Sequence, residues 1–236
     1  VYGYGISGGQ YYDFGDQKVN YYDDAFTSLI NFDFKWNARE QGYEKLFKDY
    51  SKKLESELDG FGLLNYLSSH DDGQPFDPNR DKAIETANFL MLSPGGAQIY
   101  YGDETKRKLV VEDAIGDANL RSVMNWAELE SNRKTLEHWQ KLGQFRSRHP
   151  SVGAGIHQMI TSEPYTFYRS LTKEGYDDQV VVVLNAERGM KEINVRAIFT
   201  DGTEIRDAYS GKTTVVENGK AIFDTQHNLL LLEKSE

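Results

Sequence analysis

Two stretches decide the fold: Leu63-Leu64-Asn65-Tyr66-Leu67-Ser68-Ser69-His70-Asp71-Asp72-Gly73 and Pro94-Gly95-Gly96-Ala97-Gln98-Ile99-Tyr100-Tyr101-Gly102-Asp103-Glu104. Each holds an apolar, β-prone run that ends in polar residues, the pattern of a buried strand delivering its carboxyl end to a surface. Between them Ala83, Ala87, Leu90 and Met91 recur at helical spacing and predict a helix over 80–92. Upstream, Tyr43, Leu46, Phe47, Tyr50, Leu54 and Leu58 form one apolar stripe and predict a helix over 43–58, ended by Asp59-Gly60. Before it, Leu29-Ile30-Asn31-Phe32-Asp33-Phe34 reads as a short strand. Strand, helix, strand, helix, strand with short turns is the pattern of βαβ units and a parallel sheet.

Outward from this centre the character changes twice. A variable loop over 105–130 leads to a predicted helix over 133–147, with Leu136, Trp139, Leu142 and Phe145 on one face. After His149-Pro150 the helical pattern stops. Short β-rich runs take over at 166–168, 180–184, 193–195, 213–216, 221–223 and 229–232, with Asp201-Gly202, Ser210-Gly211 and Asn218-Gly219 among the turns between them. Residues 1–150 therefore read as an α/β domain and 151–236 as an antiparallel β-sandwich. At the other end, five glycines alternate with tyrosines over residues 1–20, which reads as a loop.

Composition narrows the function. Lys plus Arg number 27 against 37 Asp plus Glu, a net charge of -10, which repels phosphate backbones and argues against nucleic-acid binding. There is no Cys, so thiolate metal sites and Cys nucleophiles are excluded. No apolar run is long enough to predict a membrane span. The 15 Tyr, 12 Phe and 3 Trp include six tyrosines within the first 22 residues, rings that suit either a core or a hydroxyl-rich ligand such as a sugar. Asp13, Asp16, Asp23 and Asp24 lack the spacing of a calcium loop, and no metal is expected in this chain.

In parallel α/β folds ligands bind at the carboxyl ends of strands. Here three such ends are polar: Asn31-Phe32-Asp33, Ser69-His70-Asp71-Asp72 and Gly102-Asp103-Glu104. Yet three βα units fall short of the about 250 residues of an eight-fold barrel. Either the sheet is small and open, or the chain is the tail of something longer.

Four segments resolve that choice. Asn65 to Asp71 and Ser93 to Glu104 resemble the α-amylase family of glycoside hydrolases, in which one strand ends in His-Asp and a later one in Tyr-Tyr-Gly-Asp/Glu-Glu. Arg121-Ser122-Val123-Met124-Asn125-Trp126 resembles the family's Arg-x-x-Met-x-Trp segment, and Phe145-Arg146-Ser147-Arg148-His149-Pro150 the end of its last barrel helix. The resemblance implies the C-terminal part of a (β/α)8 TIM barrel, about strands 6–8, followed by an antiparallel β-sandwich. It implies a retaining glycosidase acting on α-glucans such as starch and maltooligosaccharides, or a transglycosylase or isomerase of α-glucosides. A reading from another class is a non-catalytic carbohydrate-binding or structural fragment.

The family uses three carboxylates. By resemblance the third, a transition-state stabiliser, is Asp71, and His70 donates to a hydroxyl of the same sugar. The nucleophilic Asp and the acid/base Glu are expected upstream, the Glu immediately before Val1, so the isolated chain is expected to be inactive. Tyr2 and Tyr4 are candidates to stack on sugars, and Arg80 to reach a more distant one. Asp72 is expected to be solvated, Asp103 to line the mouth, Glu104 to anchor its loop, and Arg121 to form a structural ion pair. Relatives often carry calcium elsewhere, so calcium is possible in the missing part of the parent. A part-barrel leaves unpaired sheet edges, so the N-terminal half of the same enzyme or self-association is expected as partner. The compartment stays open, with a secreted or periplasmic location favoured over a cytoplasmic one.

Overall fold

A computed structural model describes residues 10–58, 60–173 and 175–235. The chain forms two compact units that divide between Leu142 and Gly143. Tyr2, Tyr4 and the rest of the glycine-rich start lie outside the described residues.

The first unit opens with a small antiparallel hairpin, β1 (Tyr11–Asp13) and β2 (Lys18–Asn20), followed by the short α1 (Tyr21–Asp24). The sequence reads this hairpin's span as loop. Its centre is a three-stranded parallel sheet in the order β3 (Ser28–Asn31), β4 (Gly62–Asn65), β5 (Gly96–Ala97). Chain order equals sheet order, as the strand–helix–strand reading requires. The crossovers carry α2 (Phe34–Glu40) and α3 (Tyr43–Lys52) after β3, and α4 (Ala83–Met91) after β4. Phe34, Leu46, Phe47, Leu63, Ala87, Leu90 and Leu92 are buried in this unit's core.

Four boundaries differ from the sequence reading, each for a local reason. The first strand stops at Asn31, because Asp33 starts α2 and Phe34 turns inward on that helix. Helix α3 ends at Lys52 and widens into a π-turn over Lys53–Glu57, so the predicted 43–58 helix is two segments. Helix α4 starts at Ala83 rather than 80. Before it, Asp77 accepts from the backbone N–H of Asp81 (3.1 Å) and Lys82 (2.8 Å), while Arg80 takes a left-handed turn at φ 65°. Strand β5 spans only Gly96–Ala97. Its partner β4 ends at Asn65, whose carbonyl accepts one last bond from Gln98 (2.8 Å), so Ile99 to Tyr101 have no strand to pair with.

A long helix, α5 (Arg133–Arg148), runs through the division between the units, and the one-turn α6 (Pro150–Ala154) follows with Pro150 in its first turn. The second unit is a six-stranded antiparallel sheet in the order β11-β10-β13-β8-β7-β6, with a two-stranded sheet, β12-β9. In chain order these are β6 (Ile156–Ser162), β7 (Tyr165–Lys173), β8 (Tyr176–Leu184), β9 (Gly189–Asn194), β10 (Glu204–Asp207), β11 (Thr213–Val215), β12 (Lys220–Thr225) and β13 (Leu230–Lys234). One apolar cluster joins the two sheets, with Val181 and Val183 of β8, Ile193 of β9, Ile205 of β10, Phe223 of β12 and Leu230 and Leu232 of β13. Val180 to Leu184 is buried on both faces of β8, as its continuous apolar run predicts. The Asn218-Gly219 turn forms as expected, with φ 54° and 74°, and Glu217 and Lys220 exchange backbone bonds across it. The strands it joins, β11 and β12, then belong to different sheets.

Candidate active site

The site grows from a polar ladder at the carboxyl ends of the parallel strands. Asn31 Nδ2 donates to Asn65 Oδ1 (2.7 Å), and Asn65 Nδ2 donates to the Pro94 carbonyl (2.7 Å) and to Ser93 Oγ (3.3 Å). These buried amides join the end of β3, the end of β4 and the turn entering β5. Buried amides bonded across strands favour a single register. The chain leaves the central strand through Tyr66 to Ser68, all buried, and emerges at His70-Asp71.

There the environment inverts. The His70 and Asp71 side chains are 63% and 55% exposed, and His70 Nε2 lies 3.1 Å from Asp71 Oδ2. The other carboxylate oxygen, Oδ1, accepts from Arg121 Nη2 (2.6 Å), and Arg121 Nε donates to the His70 carbonyl (3.1 Å). Arg121 also lies 3.8 Å from Asp117. The backbone N–H of Asp71 points at Ser69 Oγ (3.4 Å). The two sequence-predicted residues of this loop are thus brought together and presented to solvent, and the ion pair expected of Arg121 closes onto Asp71.

The neighbouring carboxylates are committed elsewhere. Asp72 is not solvated: it is paired with Lys35 and accepts from the Gln74 N–H (3.0 Å). Burial, reinforced by Asp72, drives the Tyr66 phenol upward from its ordinary pKa. Asp103 does not line the mouth. It is buried, its Oδ1 accepting from Ser68 Oγ (2.6 Å) and Arg80 Nη2 (2.6 Å) and its Oδ2 from the Tyr100 N–H (3.1 Å). Burial raises this carboxyl from its ordinary value, with Arg80 opposing the rise. Arg80, the candidate to reach a more distant sugar, is turned inward. Its side chain is 2% exposed, and its Nε donates to the Arg107 carbonyl (2.7 Å). Glu104 anchors its loop as expected, accepting from the Gly102 N–H (3.0 Å).

One residue that organises this region escaped the sequence reading. Arg107 is buried and donates to the carbonyls of Tyr101 (2.9 Å), Leu120 (3.2 Å) and Ser122 (3.4 Å) and to Ser122 Oγ (2.8 Å). Its guanidinium lies 3.9 Å from the centre of the Tyr101 ring. Tyr100 and Tyr101 donate their hydroxyls to the carbonyls of Leu120 and Ser122, each at 2.8 Å. Gly102, at φ 86°, leaves the space that Arg107 fills, since a Cβ there would meet Arg107 Cβ at 2.5 Å. Most of the partners of Arg107 are backbone carbonyls, which no residue pattern announces. Close by, a cleft of about 400 Å³ is lined by Arg39, Gln74, Pro75, Pro78, Leu109 and Leu120. Among the described residues no group of three or more His, Asp or Glu is placed to hold a metal ion.

Comparison with known proteins places this arrangement in context. No protein-family profile matches the chain. It is 36% identical over 178 residues to a periplasmic α-amylase of Escherichia coli (strain K12), covering 74% of this chain and 25% of that one. It is 22% identical over 258 residues to an amylopullulanase of Thermoanaerobacter thermohydrosulfuricus, covering 90% of this chain and 17% of that one. The chain thus spans a quarter or less of the length of these relatives. Among solved structures, an Anoxybacillus α-amylase superposes with a TM-score of 0.65 at 20% identity, covering 92% of this chain and 49% of that one. AmyP in complex with maltose gives 0.60 at 18% identity, with 88% and 50% covered. At these identities the structural likeness speaks for the fold.

Proposed function

Because this chain belongs to the α-amylase family, we propose that it is the C-terminal part of a retaining glycoside hydrolase that acts on α-glucans. On this reading the three parallel strands β3, β4 and β5 correspond to barrel strands six to eight, and the two sheets of the second unit to the C-terminal β-sandwich. The observation that carries the reading is the solvent-open His70-Asp71 pair after the central parallel strand, while Asp72 and Asp103 beside it are paired inside the protein.

Retaining hydrolysis needs a carboxylate nucleophile and a carboxylic acid flanking the scissile bond, about 5 Å apart. Neither role falls to a carboxylate described here, and both are assigned upstream of the chain. Asp71 supplies a third charge. An ionised carboxylate offers about four lone-pair sites, two to an oxygen. Arg121 occupies one on Oδ1, so both oxygens keep a site to accept from a sugar hydroxyl. Those bonds and the negative charge favour the flattened, positively charged sugar of the transition state over the relaxed one. His70, at the same edge, donates to a neighbouring hydroxyl of that sugar.

The substrate class rests on the relatives. A periplasmic α-amylase, an amylopullulanase and a structure holding maltose all point to α-linked glucose. A periplasmic or secreted setting follows the same relative. Among the described residues no helix is long and apolar enough to cross a membrane. The partner implied is the part of the enzyme that carries the other two carboxylates.

The test is direct. The purified 236-residue chain is expected to release no reducing sugar from starch or maltotriose. Release by the chain alone that survives Asp71→Asn would overturn the assignment of roles.

A further inference from the structure

The Arg121–Asp71 contact is out of proportion to its value as a stabilising ion pair. Both side chains are more than half exposed, 53% and 55%, and pairs in such surroundings contribute little to folding. Yet the structure fixes Arg121 with unusual care. The residue before it, Leu120, has its carbonyl bound by Arg107 and by the Tyr100 hydroxyl. The residue after it, Ser122, has its carbonyl bound by the Tyr101 hydroxyl and by Arg107, and its side chain by Arg107 as well. Asn125, further along the segment, is tied to Thr105 in both directions, at 2.7 Å and 2.8 Å. A buried frame therefore aims one exposed side chain.

That side chain grips the His70-Asp71 loop twice. Nη2 holds one oxygen of the Asp71 carboxylate and Nε holds the His70 backbone carbonyl. Two donors of one rigid guanidinium fix both the direction of the carboxylate and its height above the loop. Within its own loop Asp71 has only the long 3.4 Å approach of its N–H to Ser69 Oγ and the neighbouring imidazole. The bond from Arg121 is the shortest the structure gives to its side chain.

We propose that Arg121 is a positioning residue for the reaction: it holds the Asp71 carboxylate and the His70 carbonyl in the geometry that meets the distorted sugar. The inference rests on the reading of Asp71 as transition-state stabiliser. Arg121 acts through Asp71 and occupies one acceptor site of its Oδ1, so the carboxylate can meet the clamp and the sugar together.

The experiment is steady-state hydrolysis of maltotriose by the whole enzyme of which this chain is a part, in wild type, Arg121→Gln, Arg121→Lys, Asp71→Asn and Arg121→Gln/Asp71→Asn. A misplaced catalytic group costs on the order of 10–100-fold, and Arg121→Gln is expected to lose that much in kcat with KM nearly unchanged. Arg121→Lys is expected to recover part of the loss. In the Asp71→Asn background Arg121→Gln is expected to cost nothing further, since the group it positions is already disabled. Thermal unfolding of the isolated chain with Arg121→Gln is expected to match wild type. Full activity of Arg121→Gln beside a disabled Asp71→Asn would overturn this inference alone. So would a loss confined to KM, or one that persists undiminished in the Asp71→Asn background. Full activity of Asp71→Asn would overturn the role of Asp71 and this inference with it.

Discussion

His70 in the first unit and His149 in the second both lie against carboxylates, yet their surroundings differ in every respect that matters. His70 and Asp71 approach to 3.1 Å with more than half of each side chain in solvent. His149 is enclosed. Its Nδ1 lies 2.7 Å from Asp178 and its Nε2 2.7 Å from Glu233, while Asp178 also accepts from the Ser151 N–H and Glu233 from Arg148. Both ring nitrogens face carboxylates, so the imidazole carries two protons. Burial alone would lower its pKa, but the hydrogen bonds and charges of Asp178 and Glu233 outweigh it and lift the value to about 9. The enclosed cluster turns its ring nitrogens and carboxylate oxygens onto the protein itself. The open pair retains acceptor sites for something else. The same residue types are thus closed onto the protein in one unit and open to solvent in the other.

That contrast can be broken experimentally. The largest stability effect is expected at the buried Arg80–Asp103 pair. Asp103→Ala strands Arg80 in the interior and is expected to cost about 3–5 kcal/mol, read by urea unfolding of the chain. A cost below about 1 kcal/mol would remove Asp103 from the framework of the site and reopen it as a candidate sugar ligand.

The His149 cluster should show an intermediate effect with a defined pH dependence. Its folded pKa, about 9, lies above the ordinary 6.5, so its contribution is complete below pH 6.5 and fades as pH rises through 9. Asp178 and Glu233 are held below their ordinary 3.8 and 4.5, so their contribution fades on acidification. Between about pH 4.5 and 6.5 the cluster is expected to contribute about 1–2 kcal/mol after screening by solvent. His138 runs the other way. Burial lowers it to about 4, and its neutral ring bonded to Asn88 is disfavoured as pH falls below 6.5. The measurement is therefore a difference: stability against pH for wild type minus His149→Gln. A difference that does not shrink between pH 6.5 and 9 would contradict the enclosed imidazolium.

The smallest effect belongs to the open pair. His70→Ala is expected to change stability by less than about 0.5 kcal/mol, because both partners are exposed. A larger loss would make His70 a structural residue and erase the contrast with His149.

The sequence shows the parallel sheet and the open pair, and the reasons are local. The strand runs are apolar, the helical stripes are periodic, and His70-Asp71 sits where a buried strand turns polar. What it does not show depends on distance along the chain. Asp72 and Asp103 look like Asp71 in sequence; only their partners, Lys35 and the Ser68–Arg80 couple, remove them from the mouth. Arg80 in a polar loop looks like a ligand until its left-handed turn drives it inward. Arg107 gives no signal because it binds carbonyls. Arg121 reads as an ion pair, but its partner lies 50 residues away. The short α2 is missed because Leu29 to Phe34 alternates like a strand, although Asp33 followed by Arg39 in the last turn is a usable helix signal.

The central claim is that this chain contributes one open carboxylate to chemistry completed by others. It is tested most directly by maltotriose hydrolysis in the whole enzyme carrying Asp71→Asn, a change that keeps the side chain's size and removes its charge. The account predicts a fall in kcat/KM of about 10²–10³-fold or more with unchanged unfolding behaviour. Activity within about twofold of wild type would contradict it.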